Sequence, residues 1–167
     1  MTPSDLDQRL RALRDKIKAL DATRLVTISS TEHHFMSATG EFGREGAANL
    51  REEAGAGPND VSVDVVAAHF PRTDDWAAAT GSRLRAVRRA LDQIGRPLPI
   101  YLSEERRAAP GDRVDPDDYR RALDEARGAG AAGWVFHTSA GFELQKKSFL
   151  DALAGGEREA LQKLLGK

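Results

Sequence analysis

The sequence contains no cysteine, no excess of either charge and no long apolar run. The absence of cysteine excludes disulfides, thiolate metal sites and a cysteine nucleophile. Lysine and arginine number 25 against 26 acidic residues, for a net charge of −1. This balance argues against a nucleic-acid-binding protein, because such proteins normally carry a basic surface. No stretch approaches the roughly 18 consecutive apolar residues that a membrane-spanning helix requires.

The first 20 residues are charged and amphipathic, unlike a secretory signal peptide with its continuous apolar centre. The sequence therefore does not assign the protein to a compartment. Its 167 residues are enough for one domain with a hydrophobic core. They are too few for a complete (β/α)8 barrel, which needs about 250 residues.

Apolar residues at three- and four-residue spacing predict a helix that begins at Ser4 and continues to Leu20. Similar patterns predict a weak helix over 45–53 and further helices over 76–94, 115–127 and 149–165, the last interrupted near 155–156. Four basic residues of the 76–94 helix are expected on a solvated face: Arg83, Arg85, Arg88 and Arg89.

Short apolar and β-branched runs predict four strands, at 25–28, 61–68, 98–102 and 134–138. Apolar strands without polar alternation, separated by amphipathic helices, indicate a parallel sheet covered by helices. No G-x-G-x-x-G follows any strand, which argues against an open dinucleotide-binding sheet. We therefore predict one domain over 1–167, an α/β fold of four strand–helix units forming half of a (β/α)8 barrel.

Polar residues follow each predicted strand, at the end where ligands bind in α/β folds. In chain order these are Glu32, His33 and His34, then His69 and Arg72, then the charged residues 104–107, and finally His137 and Thr138. Four such groups in succession predict a shared site at one edge of the sheet.

Glu104 directly follows the third predicted strand. Alternation along a strand places one of Glu104 and Glu105 inward. An inward carboxylate could act as a nucleophile or a general base. A surface ion pair with Arg106 or Arg107 explains the same pattern, and spacing alone does not decide between these interpretations.

The histidines favour substrate hydrogen bonding or pKa tuning over a metal site. His33, His34 and His69 form no H-x-x-x-H or H-E-x-x-H pattern, and we predict neither a metal nor a cofactor. His137 is either a core histidine or a functional one. Trp134 is either a core residue or a platform for the apolar face of a sugar ring.

Three segments, 65–72, 99–104 and 133–138, resemble the last strands of the cellulase-like glycoside hydrolases of clan A. The resemblance implies that the four predicted strands are barrel strands five to eight, the C-terminal half. It implies retaining hydrolysis of a β-linked glycan, with Glu104 in the strand–Ser–Glu pattern as the strand-seven nucleophile. The substrate-binding residues would be His33, His34, His69, Arg72, Trp134 and His137.

One departure from the clan concerns the acid/base. The Asn-Glu pair that the clan carries at strand four has no counterpart, while retaining hydrolysis needs two carboxyl groups about 5–5.5 Å apart. Unless Glu32 or Glu41 replaces the missing group, we expect this polypeptide to be inactive alone. Exposed strand edges should require an N-terminal half-barrel or a second copy.

Two alternatives to the hydrolase remain open from the sequence. One is a non-catalytic half-barrel that binds a sugar or peptide through the same strand ends. The other is a different barrel enzyme that uses histidine and Glu104 for proton transfer or with a metal.

Overall fold

The computed structural model describes residues 3–28, 47–48, 50–51, 54–55, 61–70, 73–108, 115–138, 156–164 and 166. Its elements, in chain order, are α1 (Pro3–Leu20), β1 (Val66–Phe70), α2 (Trp76–Gln93), β2 (Ile100–Ala108), α3 (Pro116–Gly128), β3 (Gly133–Thr138) and α4 (Glu157–Leu164). The described residues between 47 and 51 are also helical. Within these ranges, no helix is long and apolar enough to cross a membrane.

The three strands form one parallel sheet in the order β1-β2-β3. Parallel neighbours require a crossover connection, usually a helix, and α2 and α3 supply the two crossovers. The predicted parallel sheet with helical connections is therefore present, with three strands.

One of the four predicted strand–helix units, the first in the chain, is not confirmed. Residues 25–28 are described but are not in a strand. They lie beside the residues that precede β1, because the Asp64 amide donates to the Val26 carbonyl at 2.9 Å. The Val26 amide donates to the Asp64 carboxylate at 2.8 Å. A side chain thus takes the place of the main-chain acceptor that a ladder would need.

The bounds of two predicted strands were wrong. The strand predicted over 61–68 is Val66–Phe70, because the backbone bends at 64–65. The strand predicted over 98–102 is Ile100–Ala108 and includes the charged residues expected to follow it. Main-chain pairing with β1 on one side and β3 on the other extends β2 in spite of those polar side chains. The last strand, Gly133–Thr138, agrees with the prediction to within one residue.

The helix predictions agree closely where the residues are described. The Asp115 side chain accepts the Asp117 amide at 2.9 Å, and Pro116 follows it in the first turn of α3. An aspartate N-cap followed by proline is a favoured start for a helix. α2 ends in a C-cap at Ile94, followed by Gly95 at φ +70°. Residues 149–155 lie outside the described residues, so the start of the last predicted helix is not tested.

The main hydrophobic core lies between one face of the sheet and α2. Val66, Ala68, Phe70, Ile100 and Leu102 belong to the same buried cluster as Leu84, Val87 and Leu91 of α2. Alternation along the strands places Ala67, His69 and Tyr101 on the opposite face. In a (β/α)8 barrel that opposite face lines the interior.

A second cluster joins α2, α3 and α4. It contains Trp76, Ala77, Tyr119, Ala122 and Ala160. The rings of Trp76 and Tyr119 meet edge to face, 5.4 Å apart. Trp76 is therefore a core residue.

The predicted solvated arginine face of α2 is correct only in part. Arg85 and Arg89 are exposed, but Arg83 is 6% exposed. Its side chain turns toward the end of β1, where it meets Phe70 and Thr73. The helical pattern could not predict this, because the residues that cover Arg83 come from the preceding loop and strand.

Candidate functional site

Predicted site residues occur near the carboxyl ends of β1 and β3 and in the middle of β2. His69 is the penultimate residue of β1, Glu104 lies within β2, and His137 is the penultimate residue of β3. Because the strands are parallel, these ends meet at one edge of the sheet. The backbone register pairs His69 with Glu104, and His137 with Arg107. The structure thus brings His69 and Glu104 to opposite positions on neighbouring strands.

A bulge in β2 creates the pairing of Glu104 with His69. Ala68 pairs with Leu102, whereas His69 pairs with Glu104, so Ser103 is the extra residue. The Ser103 hydroxyl donates to the Ala68 carbonyl at 3.2 Å. A one-residue shift exchanges the faces of all later positions in a strand. Regular alternation would have paired His69 with Ser103.

Glu104 therefore lies inside a strand and not directly after one, which corrects the sequence prediction. For Glu104 and His137 the structure describes the backbone alone. His33, His34 and Arg72, together with Glu32 and Glu41, lie outside the described residues. The contacts of these predicted site residues are not tested.

His69 is half-buried. It follows Ala67 and Ala68 in β1, both of which are buried. Alternation places His69 on the face opposite the main core, with Ala67. A histidine on the prospective interior face, at the carboxyl end of a strand, has the location expected for a substrate-binding residue.

Trp134 lies on the helix side of the sheet. It pairs with Leu102 and packs against both hydrophobic clusters. This is the packing that the core interpretation of Trp134 predicts. The next residue, Val135, is 44% exposed.

Tyr101 is a half-buried aromatic residue on the prospective interior face, and the sequence analysis did not single it out. It pairs with Ala67 on one side and Gly133 on the other. A Cβ atom on Gly133 would lie 2.9 Å from Cδ2 of the Tyr101 ring. The ring therefore lies over Gly133, and small neighbours on both strands leave room for it. In the sequence, the glycine at the start of the last strand was the signal that could have indicated a large neighbouring side chain.

The corner after β1 is held by a short polar chain. The Thr73 hydroxyl donates to the Asp75 carboxylate at 2.8 Å and accepts from Nη2 of Arg83 at 2.8 Å. The hydrogen bond from Thr73 is the main cause of a lowered pKa at Asp75. The nearby charge of Arg83 lowers that pKa further.

Two further features of the described part of the chain bear on ligands. No group of three or more histidine, aspartate or glutamate residues there could hold a metal ion. An open cavity is lined by Asp21, Thr23, Arg24 and Leu25. It lies where α1 leads into residues 25–28, far along the chain from the strand ends that carry His69 and Glu104. Asp21 is engaged there by Thr23 and Arg24.

Comparison with known proteins finds similar structures but no similar family model or curated sequence. No protein-family model matches the sequence, and no curated protein does. A hyperthermostable endo-1,4-β-D-mannanase from Thermotoga petrophila RKU-1, solved with maltose and glycerol, superposes with a TM-score of 0.54 at 19% identity. An endo-β-1,4-mannanase from Thermotoga petrophila gives a TM-score of 0.50 at 20% identity.

The chain spans less than half the length of these mannanases. The first comparison covers 80% of this chain and 40% of the mannanase, and the second covers 78% and 30%. At these identities the likeness concerns the fold. The fold of the chain therefore resembles part of the fold of these two mannanases.

Proposed function

We propose that the chain is the C-terminal half of a (β/α)8 barrel that hydrolyses a β-linked glycan with retention of configuration. The observation that carries this proposal is the register that sets Glu104, in the middle of β2, opposite His69, near the carboxyl end of the parallel strand β1. The fold likeness to endo-β-1,4-mannanases supports a β-1,4-linked substrate of the mannan type.

Glu104 is the proposed nucleophile. In a retaining mechanism its carboxylate attacks the anomeric carbon and forms a glycosyl–enzyme bond, while a second carboxylic acid protonates the departing oxygen. Water, activated by that second group, then releases the sugar. The pairing with His69 supports this role, because a histidine beside the nucleophile can bind a sugar hydroxyl and hold the carboxylate in place.

The remaining predicted residues have supporting roles in this proposal. Arg72, His33, His34 and His137 are the proposed sugar-binding residues. Trp134 packs in both hydrophobic clusters, so its proposed role is structural and it is not assigned to a sugar subsite. The acid/base belongs to the other half of the barrel, and we expect the isolated chain not to cleave natural glycans.

An activated glycoside tests the nucleophile without the missing acid. 2,4-Dinitrophenyl 2-deoxy-2-fluoro-β-D-mannoside carries a leaving group that departs without protonation, and its fluorine slows release of the enzyme-bound sugar. The chain should gain the mass of one fluorosugar, and one equivalent of dinitrophenolate should be released. Peptide mapping by mass spectrometry should place the sugar on Glu104.

Glu105 provides the matched control, since it is the same residue type one position along the same strand. Glu104→Gln should abolish labelling, and Glu105→Gln should retain it. Labelling of a different residue would refute the assignment of the nucleophile. If wild-type protein binds β-1,4-mannotetraose in calorimetry but is never labelled, the non-catalytic binding module is the correct function.

We also propose that an N-terminal half-barrel completes the structure. All-parallel sheets occur almost only with both faces covered, and exposed edges promote association. The exposed large apolar residues of the described chain are Leu13, Leu20, Leu25 and Val135. They belong to α1, to residues 25–28 and to β3, the outer elements of the unit, and none lies on β1, β2, α2 or α3.

The position of α1 favours a separate half over a second copy. α1 is fixed to the unit, because Leu10 packs against the main core and Lys18 binds Asp64 at 2.7 Å. Two copies would therefore each bring a leading helix in addition to the helices that follow the strands. An eight-stranded barrel has one helix for each strand. An N-terminal half-barrel that ends at its fourth strand lacks the helix after that strand, and α1 would supply it.

A further inference from the structure

Arg83 is a buried arginine in the second turn of α2 that no part of the proposed mechanism uses. It is 6% exposed, whereas Arg85 on the same helix is exposed. Burying a guanidinium is unfavourable unless it is engaged by other groups. The contacts of Arg83 therefore indicate what it does in the fold.

Arg83 contacts both ends of the corner that follows β1. Its guanidinium carbon lies 6.0 Å from the centroid of the Phe70 ring, at the last residue of the strand. Its Nη2 donates to the Thr73 hydroxyl at 2.8 Å. Pro71 and Arg72 are the two residues between these contacts, and His69 immediately precedes Phe70.

The loop end of this corner is tied into the helix as well. Thr73 donates through its hydroxyl to Asp75 at 2.8 Å, and its carbonyl accepts the Trp76 amide at 3.1 Å. Trp76 is 2% exposed in the second hydrophobic cluster. A chain of contacts therefore leads from the buried helix start, through Thr73, to Arg83 and back to the end of β1.

We propose that Arg83 is a positioning residue that ties Phe70, at the end of β1, to Thr73, ahead of α2, and thereby holds the neighbouring His69 in the geometry for binding sugar. Arg83 itself touches no substrate. This inference rests on the proposed function for its effect on sugar binding, whereas its effect on the corner is independent of that function.

The first experiment measures how readily the β1–α2 corner opens. Arg83→Met keeps an unbranched apolar side chain and removes the charge and the donors. Exchange of the Trp76 amide with deuterium should become about tenfold faster, because local opening of the corner becomes easier. The carboxyl pKa of Asp75, followed by NMR, should rise toward its ordinary value of 3.8.

The second experiment measures the effect of Arg83 on sugar binding at the proposed site. With the fluoromannoside, the concentration for half-maximal labelling rate should rise about tenfold in Arg83→Met, as expected for displaced binding groups. The maximal labelling rate should stay within about twofold, because Arg83 acts through binding and not through chemistry. Arg83→Lys should recover part of the loss.

Arg88→Met is the matched control. Arg88 lies on the same helix and donates from Nη1 to the Leu98 carbonyl at 2.7 Å, away from the corner. It should leave both the Trp76 exchange and the labelling unchanged. Unchanged Trp76 exchange in Arg83→Met would overturn the proposal.

Thr73→Val gives a second route if Arg83→Met folds poorly. It breaks the same contact from the loop side, so Thr73→Val should reproduce the faster exchange. In the double variant the two effects should not add, and full additivity would contradict the proposal. If the corner opens as expected while wild-type protein is never labelled, the proposed hydrolase is wrong and the positioning role of Arg83 stands.

Discussion

Gly133 and Tyr101 show how single residues shape the prospective interior face of the sheet. The Tyr101 ring occupies the space that a side chain at position 133 would fill. Ala67, on the other side of Tyr101, is 1% exposed and equally compact. Large and small residues thus alternate across the three strands, as in the packed layers inside small barrels.

Gly133→Ala should destabilise the protein by about 1–3 kcal/mol, because the new methyl group overlaps the Tyr101 ring. Urea unfolding followed by fluorescence measures the change in unfolding free energy. Gly128→Ala is the control, since a Cβ atom at Gly128 meets nothing within 4 Å; it should be neutral or stabilising by up to about 1 kcal/mol. Tyr101→Leu in the Gly133→Ala background should recover part of the loss, and no recovery would contradict the overlap.

At the scale of elements, one charged contact connects three parts of the fold. Lys18, near the end of α1, donates to the Arg24 carbonyl at 2.7 Å and pairs with Asp64 at 2.7 Å. The Asp64 carboxylate also accepts the Val26 amide. Helix α1, residues 25–28 and the residues before β1 are thereby held together without a strand ladder.

This contact changes the pKa of Asp64. Burial alone would raise that pKa, but the hydrogen bonds from Lys18 and Val26 and the charges of Lys18 and Arg14 outweigh it. The net pKa in the folded protein is below the ordinary 3.8. A lowered carboxyl pKa in the folded state stabilises the protein above the unfolded pKa, and this contribution is lost as the pH falls through the folded value.

Asp64→Asn should therefore lower the unfolding free energy by about 1–2 kcal/mol at pH 7, since it removes a charged acceptor. The difference from wild type should shrink as the pH falls below about 4. Urea unfolding at pH 7, 5, 4 and 3 measures it. A difference that stays constant down to pH 3 would exclude a stabilising charge at Asp64.

At the scale of the whole molecule, the unit is well packed in its middle and exposes apolar side chains on its outer elements. Leu20 is 90% exposed and Leu25 is 70% exposed, close together in the chain at the first edge. On the last strand, Val135 is 44% exposed. The proposed N-terminal half-barrel would cover such exposed apolar side chains.

Sedimentation velocity of the purified chain should show association that increases with concentration. Leu20→Lys combined with Leu25→Lys should reduce it, because charged edges oppose edge-to-edge contact. Leu13→Lys, on the middle of α1, is the control for a general change in charge. A discrete dimer at all concentrations would favour a second copy over an N-terminal half. A monomer that unfolds cooperatively would contradict the incomplete barrel.

The residues proposed for the candidate site were chosen from the sequence, whereas their register on the sheet came from the structure. His69 and Glu104 were identified because polar residues follow apolar strands, a pattern that needs no tertiary information. Their pairing depends on the Ser103 bulge, and a bulge is set by how two strands fit together. The burial of Arg83 against Phe70 and Thr73 was likewise invisible to the helical pattern.

The sequence by itself determined helices α1, α2 and α3 and the parallel class of the sheet. These depend on local signals, such as Asp115-Pro116 at the start of α3 and the periodic apolar residues of α2. The tertiary structure alone decided the length of β2, the absence of a strand at 25–28 and the opposition of Glu104 to His69. The physical reason is that strand pairing is made between residues distant in the chain, whereas helical hydrogen bonds lie within four residues.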